Sequence, residues 1–480
     1  MTQSDYILTG FLGVSVLLAL AAGLLRRKAA VKLVALLYLP VHAGFSLWGW
    51  MHEGQTTLEY FTFDAPGLLL LSVLSLLAVT TVLHGFSYLE ESSPRAYSIY
   101  HAALIGLITS MSGAYLANGM TIVWIFVEAT TLTVAALIYH DRTRLALEAT
   151  WKYVFVCSVG IALAYLGILF LGFTLKDARL LHHSFDSLAG IAGKADPLYL
   201  KVAFVFVFVG YSAKMGLFPM HTVTVDAHTV APPPVSAFIS TTLMNVGFLA
   251  IFRIYRLFSA TTILPFMNHV LILSGLLSLL VSAGYMLKAK HNKRMLAYSS
   301  LENMGIVAIA LGVGGIGYYA AILHLLLHSL SKAGLFYQIG ISHKVMGTYQ
   351  LDESGNYFSL YPAGGGALLL GLLCIAAIPP SGMFISELYL FKALVASKDF
   401  WILGAVLFLL CFVIYAMVTR VLHILYSQPR QKPLWDTVPV NPWQSASQYI
   451  LFGIVIYICF SQPEFLRNAI ETILQTLPGS

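Results

Sequence analysis

FVFVGYSAKMGLFPM, residues 206–220, is an apolar run with a lysine at its centre and a proline five residues beyond it. The run reads as a helix through lipid: Lys214 becomes an ionisable group at membrane depth, and Pro219 breaks the helix because proline lacks an amide proton and clashes with the preceding turn. Three more charges occupy comparable runs: Glu128 in IVWIFVEATTLTVAAL (122–137), Lys332 in ILHLLLHSLSKAGLF (322–336) and Glu387 in PPSGMFISELYLF (379–391). Each ionised group near mid-bilayer costs about 3 kcal/mol on insertion scales, on the order of 12 kcal/mol for the set. Stability does not call for them, so their placement points to ion movement.

The rest of the chain agrees. Of its 480 residues 58% are hydrophobic and 10% charged, against about a quarter charged in globular domains. Apolar stretches of roughly 18–28 residues recur throughout, which suits α-helical spans and is too long for barrel strands of about 10 residues. The expected fold is therefore all-α and integral to the membrane, with about fourteen spans near 5–25, 33–51, 66–88, 98–117, 119–140, 151–173, 199–229, 232–257, 263–288, 297–314, 318–343, 366–395, 400–427 and 446–466. It forms one polytopic domain, 1–480. Cys157, Cys374, Cys411 and Cys459 form no CxxC pair and read as small core residues.

The first apolar run, Tyr6 to Leu25, is followed by Arg26, Arg27 and Lys28, the reverse of a secretory signal, and reads as a retained span. Basic residues recur in alternate connections: Lys32, then Arg142, Arg144 and Lys152, then Lys288, Lys290, Lys293 and Arg294, then Arg430 and Lys432, with the acidic loop 52–65 (Glu53, Glu59, Asp64) opposite. That side holds roughly twice the Lys and Arg of the other, which predicts both termini on the outer side of a prokaryotic cytoplasmic membrane.

A second break falls at Pro379–Pro380, five spans after Pro219. An odd offset means that the two interrupted helices run in opposite directions, as two inverted five-helix repeats (spans 4–8 and 9–13) require. The corresponding division is 1–97 for the first three spans, 98–257 and 258–427 for the repeats, and 428–480 for the last span and tail. Free carbonyls and amides at both breaks are expected to line wet cavities. His324, His328 and Lys332 recur every four residues, about 6 Å per step on one helix face, a geometry for passing protons. Glu128 is expected to pair with Lys214, and Glu387 to act in the second broken helix.

Around the first break, Pro219, His221, Asp226 and His228 either admit water or cap the interrupted ends. Ser236, Ser240, Thr241, Thr242 and Asn245 add uncharged hydrogen-bonding groups in the eighth span. Glu302 fits a capping box with Ser299 and reads as structural. Lys392 reads as snorkelling, and His182 and His183 as solvent-facing. No glycine-rich phosphate loop, metal-ligand cluster or catalytic triad marks a catalytic centre in this chain.

EATTL (128–132), AKMGLFPMHTVTVDAH (213–228), APPPVSA (231–237), KRMLAYSS (293–300) and HLLLHSLSKAGLF (324–336) together resemble the antiporter-like membrane subunits of respiratory complex I, cation/proton antiporter complexes and energy-converting hydrogenases. VDAHTVAPPPVSA and AYSSLENMG resemble most the F-type component of hydrogenase-4 and formate hydrogenlyase. The resemblance implies a fourteen-helix proton channel with no cofactor of its own, set among related membrane subunits beside a peripheral redox arm. Nickel–iron and iron–sulfur centres are then expected in partner subunits. It also places Glu128, Lys214, Lys332 with His324 and His328 before it, and Glu387 at the family's charged sites; with His228 of the first break, these are the expected proton-translocating residues. Two departures stand out: Ser240 and Thr242 where some relatives carry lysine or histidine in the eighth span, and Asn303 where histidine often precedes Met-Gly.

The leading expectation is a proton-translocating subunit of a redox-driven complex. A sodium/proton antiporter subunit is the alternative within the transporter class, and a non-conducting scaffold or inorganic-carbon-uptake subunit is the alternative outside it. The sequence names neither electron donor nor coupling ion.

Overall fold

A computed structural model describes residues 2–175, 184–428 and 440–479. The chain is almost entirely helical. The first spans are α1 (Gln3–Leu24), α2 (Lys28–Met51), α3 (Ala65–Tyr88), α4 (Pro94–Leu116), α5 (Met120–Ile138) and α6 (Arg144–Leu175). A short α7 (Phe185–Ala192) precedes α8 (Pro197–Met215) and α9 (Thr222–Val230). Next come α10 (Pro233–Phe238) and α11 (Met244–Phe258), joined by a π-helical turn at Ile239–Leu243, then α12 (Leu264–Lys288), α13 (Asn292–Val313) and α14 (Ile316–Met346). The remainder is α15 (Tyr357–Leu360), α16 (Pro362–Ile375), α17 (Gly382–Ala396), α18 (Phe400–Tyr426), α19 (Ala446–Phe460) and α20 (Glu464–Leu474).

Thirteen helices among the described residues are long and apolar enough to cross a membrane. At 1.5 Å per residue, α16 and α17 are each too short for a hydrocarbon core about 30 Å thick, but in series they meet the expectation of an interrupted twelfth span. The seventh is likewise divided into α8 and α9. Both breaks carry a cis X–Pro bond, at Phe218–Pro219 and Pro379–Pro380. The expectation that the break groups stay free is corrected in part. Ser278 Oγ accepts from the Phe218 amide at 3.0 Å, Ser274 Oγ donates to the Phe218 carbonyl at 2.6 Å, and Thr224 Oγ1 bridges back to the Ala213 carbonyl at 3.0 Å. At the second break Ser381 accepts from the Met383 amide at 3.2 Å and donates to the Cys374 carbonyl at 3.1 Å. Backbone groups inside a membrane must find such partners.

Burial orders the helices from inside out. The apolar windows of Pro233–Phe258, α13 and α14 are 100%, 94% and 94% buried, whereas that of α1 is 22% buried. The former therefore form the centre, and α1 turns most of its Leu and Val side chains toward lipid. α13 packs between α12 and α14, and α14 also packs on α17 and α19. Close approach fixes α8 against α11: a Cβ on Gly247 would lie 2.3 Å from the Met215 amide nitrogen and 2.8 Å from the Lys214 carbonyl carbon. Backbone cannot yield as a side chain does, so this glycine sets the depth of Lys214.

One ion pair ties the first three spans to the centre. Arg253, 2% exposed on α11, donates to both oxygens of Asp64 at 2.7 and 2.9 Å and to the Tyr115 carbonyl at 2.7 Å. Asp64, read as an acidic loop residue, is thus also the N-cap of α3, accepting from the Gly67 amide at 3.3 Å. The same loop holds a small antiparallel hairpin, Thr56–Thr57 against Phe61–Thr62. The cysteines are all free, but the core reading holds for Cys157 and Cys374 alone; Cys411 is exposed and Cys459 half-buried. His182, His183, Arg430 and Lys432 lie outside the described residues.

Candidate functional site

α8 begins at Pro197, with Asp196 capping it by accepting from the Leu198 amide at 2.8 Å, and ends at Gly216 in the left-handed region (φ 74°). That geometry stops the helix half a turn after Lys214 and leaves the amine inside the protein, 2% exposed. Lys214 Nζ donates to the Tyr153 hydroxyl at 3.2 Å and lies 5.0 Å from the centre of its ring. Glu128 is half-buried, and its oxygens accept from Ser158 at 3.0 Å and Thr131 at 3.3 Å. The expected Glu128–Lys214 contact pair is therefore not formed among the described residues. The two charges interact over a longer distance, with Tyr153 and Cys157 of α6 in the same neighbourhood.

The central cluster is assembled by α9, α13, α14 and α17. α14 runs uninterrupted from Gly314–Gly315 to Gly347, all three with positive φ, so it stacks its three polar stations on one continuous helix. His324, His328 and Lys332 are each 0% exposed. His324 is held at both ring nitrogens, by Ser386 Oγ of α17 at 2.9 Å and Asn303 Oδ1 of α13 at 3.0 Å. His328 has no protein partner at either nitrogen. Lys332 Nζ donates to the Leu296 carbonyl at 2.9 Å. His228 of α9 uses Nδ1 toward the Thr224 carbonyl and leaves Nε2 unpartnered, with its ring 5.8 Å from that of Phe336.

The capping box expected at Glu302 is not formed. α13 starts at Asn292, not near residue 297, so Ser299 and Glu302 lie inside the helix and form no capping box. Glu302 is 3% exposed, accepts from the side-chain Nδ2 of Asn303, and interacts electrostatically with Lys332 and Glu387. It thereby links α14 to α17. The signal was present as a carboxylate one residue from the Asn303 departure, but the late helix start disguised it. Glu387 is 8% exposed on α17. Buried polar atoms need partners, and this cluster carries several without a protein one: both His328 nitrogens, His228 Nε2, Asn245 Oδ1 and Ser331 Oγ.

The remaining sequence candidates separate. Asp226 does not cap a helix end; it lies within α9 and pairs with Arg294 at 3.4 Å and Lys152 at 3.9 Å. His221 precedes α9 and makes no side-chain cap. In the eighth span Ser240 bonds Ser300 at 2.7 Å and Asn245 bonds Ser329 at 3.0 Å, while Thr241 and Thr242 bond back to the Ala237 and Phe238 carbonyls. Lys392 is exposed, as expected of a snorkelling lysine. Lys293 is not the loop cation its position suggested: it is 2% exposed, whereas Lys288, Lys290 and Arg294 around it are exposed.

Comparison with known proteins gives a consistent assignment. Residues 117–413 match the family described as "NADH:quinone oxidoreductase/Mrp antiporter, TM". The hydrogenase-4 component F homolog of Methylacidiphilum infernorum (isolate V4) is 31% identical over 383 residues, covering 78% of this chain and 80% of that protein. Two solved structures share the fold, each with a TM-score of 0.87. A chain of the membrane-bound sulfane sulfur reductase, an archaeal respiratory membrane complex, is 20% identical, covering 98% of this chain and 97% of that one. A chain of the Mrp complex from Dietzia sp. DQ12-45-1b is 18% identical, covering 99% and 98%.

Proposed function

The chain belongs to the NADH:quinone oxidoreductase/Mrp antiporter transmembrane family, and from that premise we propose that it translocates protons as an antiporter-like subunit of a redox-driven membrane complex of hydrogenase type. The observation that carries this is the buried polar line at the centre of the bundle: His328, Lys332, Glu302 and Glu387 on three adjoining helices, interacting in that order inside apolar spans. Groups of both signs at that depth are retained for transport. The 31% identical relative, a hydrogenase-4 component F homolog, supports the hydrogenase-type assignment.

In this scheme Glu128 and Lys214 form the switch at one end. A change of charge beside the half-buried Glu128 alters the field at Lys214, and the disturbance passes to Lys332 and its neighbours, with Glu387 on the exit side. His228, His324 and His328 accept on one ring nitrogen and donate from the other. The basic loops lie on the cytoplasmic side of a prokaryotic inner membrane and both termini opposite. Spans 4–8 and 9–13 are inverted repeats within one membrane domain. Related antiporter-like subunits and a peripheral redox arm with nickel–iron and iron–sulfur centres are its partners.

The test is proton movement by the complex, purified through a tag on this chain and sealed into liposomes. Lys214→Ala, Glu128→Ala and Lys332→Ala leave the complex assembled and its electron transfer measurable while coupled proton transport is lost. Full transport in all three refutes the scheme, and transport that requires sodium redirects it to cation/proton exchange.

A further inference from the structure

We propose that Lys293 is the entry station of the proton path, taking protons from a vestibule on the basic face and passing them to His228 and Lys332. The inference rests on the translocating function above and adds a residue and a route to it.

The vestibule is a cavity of about 400 Å³ between the ends of α3 and α14 and the start of α10, walled by His84, Tyr88, Pro233, Tyr337, His343 and Lys344. It opens on the side of the Arg26–Lys28 loop, since Lys28 Nζ donates at 2.7 Å to the carbonyl of Glu90, another wall residue. One wall lies at the exposed rim and one leads inward. The Tyr88 hydroxyl donates to Asp141 at 3.1 Å, and the ring of His343 stacks on Tyr349 with centres 3.9 Å apart. Lys293 Nζ lies 5.3 Å from the centre of that same Tyr349 ring.

Lys293 faces two ways. On the outer side it interacts electrostatically with Asp141. On the inner side its charge reaches His228, which also feels Lys332. Its ammonium donates to the Ala231 carbonyl in the link between α9 and α10, and it forms no ion pair among the described residues. A lysine serving topology alone belongs at the rim with Lys290 and Lys288, where water solvates it. This one has been withdrawn from water without a carboxylate contact among the described residues. His228 Nε2, aimed into the cluster without a protein partner, is the acceptor next in line. Each transfer moves one proton and nothing else: the ammonium becomes an amine, His228 becomes an imidazolium, and the amine is recharged from the vestibule.

The experiment uses the intact complex in liposomes energised by its own electron donor. Lys293→Gln keeps a donor for the Ala231 carbonyl but cannot titrate, and is expected to pump below about a tenth of the unaltered rate, a barrier rise of at least about 1.4 kcal/mol. Lys293→Gln that assembles and pumps normally makes the lysine a mere anchor and overturns the proposal. A second arm does not depend on that variant folding. Ser87→Cys, at the vestibule wall, is treated with a bulky, membrane-impermeant thiol reagent from the basic face. Pumping should stop in the variant and continue in the unaltered chain; undiminished pumping after complete labelling also overturns the proposal. Lys332→Gln in the same vesicles separates the two levels: if it pumps normally the translocating function itself fails, and if it alone is inactive only the entry route does.

Discussion

The ammonium of Lys214 is held by Tyr153, not by Glu128. The phenol hydroxyl is 3.2 Å from Nζ and also lies within electrostatic range of the carboxylate. The phenol thus bonds the lysine and lies in the field of the glutamate. Tyr153→Phe keeps the ring under the ammonium and deletes that hydroxyl. A hydrogen bond to a charged group contributes about 1.5–3 kcal/mol, so coupled proton transport should fall roughly tenfold in liposomes containing a fully assembled complex. Unchanged transport would mean that Lys214 senses Glu128 without the phenol.

Glu302 joins the charges of α14 and α17. Glu302→Gln preserves volume and hydrogen bonding to Asn303 but ends its participation as a carboxylate. Transport should be lost while the complex stays assembled and thermally stable. If proton movement persists at the unaltered rate, Glu302 is a packing residue after all.

Arg253 and Asp64 predict a stability effect separable from transport. Arg253→Ala leaves a carboxylate without its cation beside the core, which costs about 3–5 kcal/mol. The yield of folded chain and its melting midpoint in detergent should both drop. Replacing both partners, as in Arg253→Met with Asp64→Ala, should be less harmful than the sum of the single changes; strict additivity would show that the pair does not act as a unit.

His291, just before α13, gives a pH dependence. Burial chiefly, with Lys293, Arg294 and His343 adding like-charge repulsion, holds its pKa down to about 4 from 6.5. It is neutral in the folded chain where the unfolded chain already binds a proton. Its contribution to stability is thus complete above about pH 6.5, declines as pH falls toward about 4, and changes no further below that. Melting midpoints of the unaltered chain and His291→Gln, compared near neutrality and near pH 5, should show a smaller acid-induced drop in the variant. Equal drops would assign the sensitivity elsewhere.

The spans were legible because lipid enforces a length and a composition, and Pro219 and Pro379–Pro380 mark the two breaks, although Pro40 lies inside α2 without dividing it. The stripe His324–His328–Lys332 was legible because a four-residue spacing has one geometric meaning on a helix. Residues whose role depends on where a helix begins were not. The five-residue difference in the start of α13 moved Lys293 from loop to core and Glu302 from cap to interior. Tyr153 and Arg253 carry no spacing signal at all, since their partners are 61 and 189 residues away.

The eighth span contributes hydroxyls and an amide, but no acid or base, from Pro233 through Phe252. Serine, threonine and asparagine do not store a proton at neutral pH, so in the proposed scheme the disturbance at Lys214 crosses this span to Lys332 as between the plates of a capacitor, by field. Replacing ordinary water with deuterium oxide should consequently slow proton uptake and release while leaving the signal from Lys214 to Lys332 untouched. The proposed redox partner can then act on Lys332 through Lys214 without any single ion travelling the full width of the protein.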